Sequence, residues 1–66
     1  MDVWINGDRR RFADGATVRE ALVALDAPER GIAVAVDGEV VPRAAWAATP
    51  LVDGARVEVL TAVQGG

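Results

Sequence analysis

Gln64-Gly65-Gly66 closes the sequence directly behind an alternating apolar run, Val57-Glu58-Val59-Leu60-Thr61-Ala62-Val63, and this is the stretch whose residue types could carry chemistry. The reactive group would be the α-carboxylate of Gly66. Such a carboxylate has a pKa of about 3.5, so at neutral pH it is an anion and a poor electrophile until something activates it. Two glycines without Cβ atoms let a segment thread a narrow channel and adopt dihedrals closed to other residues. From Ala62 to Gly66 an extended chain spans about 17 Å, enough to carry a terminal atom from a domain surface into a partner's buried site. The implied chemistry is acyl activation of this end by another protein.

Composition removes most of the alternatives. There is no Cys, which excludes disulfides, thiol nucleophiles and thiolate metal sites, and no His, which excludes imidazole bases and histidine-bound metals. All seven basic residues are Arg, so no side-chain amine is available for Schiff-base chemistry or for isopeptide chain building. Paired carboxylates such as Asp37 with Glu39 read as turn and surface residues, because acid/base work needs a cleft that a domain of 66 residues lacks. No metal or bound cofactor is expected. With 52% hydrophobic and 26% charged residues the chain is expected to fold as one domain, residues 1–63, with 64–66 as a flexible tail.

The net charge of -3 argues against nucleic acid as a partner. Arg9-Arg10-Arg11 is read instead as the solvated edge of a hairpin, a guard against edge pairing. The N-terminal residues lack a basic segment and an apolar stretch of signal length, and no run approaches the roughly 18 apolar residues of a membrane span, so a cytoplasmic protein is expected.

The elements that must position the tail follow from periodicity. Met1, Val3 and Ile5 alternate with Asp2, Trp4 and Asn6, a strand with one buried face, and Asn6-Gly7 supplies a hairpin turn before a return strand over Asp8 to Ala13. Thr17 with Glu20 forms a capping box. Val18, Ala21, Leu22 and Leu25 then make a single helical stripe, which Asp26-Ala27-Pro28 is expected to stop. Gly31 to Val36 and Glu39-Val40-Val41 form a second hairpin about Asp37-Gly38. Ala44 to Ala48 is a turn or so of helix in which Trp46 is expected to plug one end of the core. Asp53-Gly54 turns into a last strand over Ala55 to Val63. The order is β-β-α-β-β-(short helix)-β, an α+β roll with a mixed sheet covered on one face by the helix.

In that last strand Val57, Val59, Thr61 and Val63 share one face, and Arg56, Glu58, Leu60 and Ala62 the other. The second face is either an ordinary solvated surface or a docking surface, since an exposed Leu between charges beside the tail lies where a partner must grip. Trp4 alternates away from Val3 and Ile5, which leaves it either available for docking or partly covered by the neighbouring hairpin.

The run Ile5-Asn6-Gly7, then Thr17-Val18-Arg19-Glu20-Ala21-Leu22, then Ala33 to Arg43 containing Val40-Val41-Pro42-Arg43, then Trp46, Leu51-Val52-Asp53-Gly54, Val57-Glu58-Val59 and Ala62-Val63-Gln64-Gly65-Gly66, resembles the ThiS family of thiamine-pathway sulfur carriers. The resemblance covers nearly the whole chain. Asp37 and Ala55 stand where members often carry Asn and Asp, Gln64 occupies a variable position, and none of these touches the reactive end. It implies the β-grasp fold of ubiquitin, with the first and last strands parallel neighbours in the centre of the sheet.

It also implies a role as a protein co-substrate and not an enzyme. An adenylating partner of the ThiF type would use ATP and magnesium to join Gly66 to AMP. A cysteine-derived persulfide would then supply sulfur to give a C-terminal thiocarboxylate, a 1-thioglycine at Gly66, and a ThiG-type thiazole synthase would take that sulfur. Gln64, Gly65 and Gly66 would enter the partner's channel, and Trp4, Arg56, Glu58 and Leu60 are the docking candidates. Arg43 matches the family pattern and is expected to contact a loop carbonyl. Rival readings are a carrier for a molybdopterin-type pathway, a ubiquitin-like modifier, and a plain interaction domain with an incidental tail.

Overall fold

Alternation and turn chemistry set the local structure. In the computed structural model, which describes residues 1–61, strand β1 (Asp2–Ile5) turns at Asn6-Gly7 into β2 (Asp8–Arg11). Asn6 and Gly7 have φ of 50° and 85°, the left-handed pair that a two-residue hairpin demands. Asp37 (φ 50°) and Gly38 (φ 86°) repeat the device between β3 (Ile32–Val36) and β4 (Glu39–Val40). Each strand of the two hairpins is shorter than alternation suggested. Past β2, Phe12 still exchanges backbone bonds with Met1 (3.0 and 2.8 Å). Gly31 has a φ of 77°, which takes it out of β3.

Helix α1 (Val18–Ala24) starts as its cap dictates: Glu20 N–H donates to Thr17 Oγ1 at 3.2 Å, and Thr17 N–H donates to Glu20 Oε1 at 3.1 Å. It ends differently from the expectation. Asp26 takes a left-handed φ of 56°, with its N–H on Val23 C=O and that of Ala27 on Leu22 C=O, both 3.0 Å. This two-bond cap satisfies the last carbonyls before Pro28 is reached, so the proline does not stop the helix.

Residues Arg43–Ala48 form a 3₁₀ helix, and the chain then passes Thr49 to Leu51 alongside the start of α1 before β5 (Arg56–Thr61). Val18 N–H reaches Thr49 C=O (2.9 Å), and Leu51 N–H reaches Ala16 C=O (2.8 Å).

Among the described residues the sheet has the order β2-β1-β5-β3-β4, with β5 central, parallel to β1 and antiparallel to β3. This is the β-grasp arrangement, a mixed five-stranded sheet with one helix and a short 3₁₀ helix. Val3 and Ile5 of β1, Val34 of β3 and Val57 of β5 pack with Val18, Ala21 and Leu22 of α1, and Trp46, Leu51 and Ala55 complete the core. β2 is an edge strand exposed along its whole length, as the arginine run implied.

Candidate functional site

The residues expected to react, Gln64, Gly65 and Gly66, lie outside the described residues, as do Ala62 and Val63 and hence the boundary expected between domain and tail. The strand that leads to them is described as far as Thr61. Exposure rises along its inner face: Val57 is buried, Val59 half-buried and Thr61 exposed. β1 pairs with β5 through Trp4 and Arg56 and through Ile5 and Val57, so beyond Val57 this strand has no β1 residue paired beside it among the described residues.

The four docking candidates are brought together on the sheet face opposite the helix. Trp4 pairs with Arg56 in the parallel ladder and with Arg9 in the antiparallel one, so the indole stands between two guanidinium-bearing positions. Its exposure is 37%, so the residue is partly covered by its neighbours and partly accessible. Trp4 and Arg56, with Gly7, Val57 and Glu58, line a shallow depression of about 280 Å³.

Register adds residues that alternation alone did not assemble. Leu60 lies opposite Ala33, Glu58 opposite Ala35, and Ala35 opposite Val40. Leu60 (61% exposed) and Val40 (74% exposed) thus flank two alanines on one uncovered surface. Within β3, Ala33 and Ala35 alternate with Ile32, Val34 and Val36. Only the pairing of β3 with β5 places them beside Leu60.

Charge on this face is unevenly committed. Arg9 and Arg11 hold Asp2 at 3.2 and 3.5 Å, whereas Arg56 makes no ion pair among the described residues. Arg43 departs from its expected role: it is exposed and donates no side-chain hydrogen bond among the described residues. The adjacent carbonyls are already engaged, Val41 C=O by Trp46 Nε1 (2.9 Å) and Pro42 C=O by Ala45 N–H (2.8 Å).

Two turn residues read only as turn formers prove to hold β5 in place. Asn6 Oδ1 accepts from Val59 N–H at 2.8 Å while Asn6 Nδ2 donates to Val59 C=O at 3.0 Å. At the other end, Asp37 N–H donates to Arg56 C=O (2.8 Å), and Asp37 Oδ1 accepts from Arg56 N–H (3.0 Å). Both tolerate the left-handed region and carry a side chain able to bond backbone, a combination found in Asn and Asp.

Comparison with known proteins covers the same span. The ThiS family model matches residues 3–66. The sulfur carrier protein ThiS of Escherichia coli (strain K12) is 33% identical over 66 residues, the whole of both chains. A thiazole synthase of Paramagnetospirillum magneticum is also 33% identical over 66 residues, and there the matched segment makes up 20% of the longer chain. The crystal structure of the thiamine biosynthesis protein ThiS from Geobacter metallireducens superposes with a TM-score of 0.86 at 35% identity, covering 100% of each chain.

Proposed function

The chain belongs to the ThiS family, and on that footing we propose that it is a sulfur carrier of thiamine biosynthesis whose working group is the α-carboxylate of Gly66. The observation that carries this reading is the family match running to Gly66 itself, through the glycine pair. The chain acts as a carrier and not as an enzyme, in keeping with a sequence that has no Cys, His or Lys.

Chemistry at Gly66 requires a partner. A carboxylate oxygen attacks the α-phosphorus of ATP, with magnesium, in a ThiF-type adenylating enzyme, and pyrophosphate leaves. The outer sulfur of a cysteine-derived persulfide then attacks the acyl-adenylate carbonyl and displaces AMP, forming an acyl disulfide. A thiol attacks the cysteine-side sulfur of that disulfide, releasing the thiocarboxylate and leaving a new disulfide behind. Mixed-anhydride activation is needed because the free anion resists nucleophilic attack.

A thiazole synthase is the proposed acceptor. Support comes from the thiazole synthase of which a fifth resembles this whole chain. The cytoplasm is the proposed working compartment, where ATP for the adenylation is at hand. Among the described residues no helix is long and apolar enough to cross a membrane.

Trp4, Arg56, Glu58 and Leu60, with Val40 beside them, are the proposed grip for these partners. An aromatic ring and an exposed leucine ringed by charge have the makeup of an interface centre.

Intact mass spectrometry tests the reading. The full chain is incubated with ATP, magnesium, a ThiF-type enzyme and a sulfur donor, beside a version lacking Gly66. A mass gain equal to one oxygen replaced by sulfur, in the full chain only, is the expected result. No mass change with an enzyme shown to be active would remove Gly66 as the working group.

A further inference from the structure

We infer that Asn6 is a positioning residue for the carrier reaction, anchoring β5 at Val59 on the strand that leads to Gly66; this rests on the reading of Gly66 as the working group. On its β1 side, β5 is held through Trp4 N–H to Ala55 C=O and Asn6 N–H to Val57 C=O, both 2.9 Å. There the main chain of β1 turns away. The Asn6 carboxamide then supplies the next rung itself, bonding both backbone groups of Val59.

Val59 is thus the last β5 residue bonded on that side among the described residues, while β3 continues alongside to Thr61. Without the Asn6 amide, Val59 to Thr61 would be held from the β3 side alone. Val59 to Thr61 would gain freedom, and each additional freed residue costs conformational entropy when the end must be ordered in a partner's site. A carrier is useful only if its terminal atom meets the reacting group in a productive geometry, so that cost falls on turnover.

The chemistry of the two clamps separates this role from turn formation. At Asp37 the main-chain N–H already serves the Arg56 carbonyl, so a carboxylate acceptor is sufficient. At Asn6 the main-chain N–H is spent on Val57, and the side chain must both accept and donate. A carboxamide does both from two separate atoms; an Asp at this position would set an oxygen against the Val59 carbonyl.

The test measures initial rates of thiocarboxylate formation against carrier concentration, by intact mass, with the ThiF-type enzyme, ATP, magnesium and a sulfur donor. Asn6→Gly and Asn6→Asp both keep the left-handed turn. Each should lower kcat by a factor of about three to ten, the size expected for losing solvent-exposed hydrogen bonds, with KM changed less than about twofold. Asp37→Gly loosens the opposite end of β5 and should lower Tm while leaving kcat at the wild-type value.

Wild-type kcat in both Asn6 variants would overturn the inference and leave the carrier reading standing. So would an equal loss of kcat in Asp37→Gly, which would make the effect one of strand stability. A wild-type chain that gains no sulfur would overturn both. Should Asn6→Gly be unfolded at the assay temperature, amide exchange in Asn6→Asp decides: faster exchange at Val59 with Val57 unchanged supports the inference, and equal acceleration at both overturns it.

Discussion

Trp46 donates its indole N–H to the Val41 carbonyl at 2.9 Å from a side chain only 4% exposed. One residue thereby fills the core end left open between α1 and the sheet and satisfies a carbonyl in the loop that follows β4. Trp46→Phe keeps most of the packing and strands that carbonyl, for an expected loss of about 1–2 kcal/mol. Trp46→Ala empties the site and should cost about 3–5 kcal/mol, a large share of what a domain this small has. Urea titration of the two variants should give midpoints in that order. Equal midpoints would remove the role of packing, since both variants lose the hydrogen bond, and a wild-type midpoint for Trp46→Phe would remove the role of the hydrogen bond.

The reciprocal Thr17 and Glu20 bonds open the only α-helix among the described residues. Thr17→Ala should cost about 1 kcal/mol, or about 4–8 °C in Tm for a domain of this size. A thermal melt followed by circular dichroism checks it, and an unchanged Tm would mean that tertiary contacts alone define the start of the helix.

Asp26 is an acidic L-residue in a left-handed conformation just beyond the C-terminus of α1. Both its backbone and its charge are unfavourable there, the second because a helix C-terminus carries partial negative charge. Asp26→Gly should raise Tm by a few degrees, corresponding to about 0.5–1 kcal/mol. A lower Tm would show that the entropy of an added glycine outweighs both gains.

Leu60 and Val40 protrude from the sheet face proposed for docking. Leu60→Asp should leave the unfolding free energy within about 0.5 kcal/mol of wild type, as expected for an exposed position. The KM for the carrier in the adenylation assay should rise by about tenfold or more, the mark of an interface centre. Wild-type KM would return this face to ordinary solvated surface.

Local signals were legible where short-range physics decides. Thr17 and Glu20 marked the start of the helix, Asn6-Gly7 and Asp37-Gly38 marked the hairpins, and alternation put Trp4, Arg56, Glu58 and Leu60 on outward faces. Boundaries were less so. The stop of α1 was placed correctly at Asp26-Ala27-Pro28 but ascribed to the proline, because nothing in the residue type of Asp26 announces a left-handed cap as a Gly would have. The loop contact expected of Arg43 failed because a solvent-exposed Arg can satisfy itself in water and the neighbouring carbonyls had other donors.

By itself the sequence determined which side-chain chemistry is ruled out: with no Cys, His or Lys, thiol, imidazole and side-chain amine chemistry are unavailable. It determined the element order too, since turn dihedrals, caps and amphipathic periods depend on residues a few positions apart. Tertiary structure decided what depends on partners far along the chain. Residues 53 apart meet when Asn6 takes the backbone of Val59, and the pairings of β5 with β1 and β3 gather Trp4, Arg56, Leu60 and Ala33 on one face. The physical reason is that backbone hydrogen bonding between strands is nearly blind to side-chain type, so register is selected by burial of the whole core at once and cannot be read from any one strand.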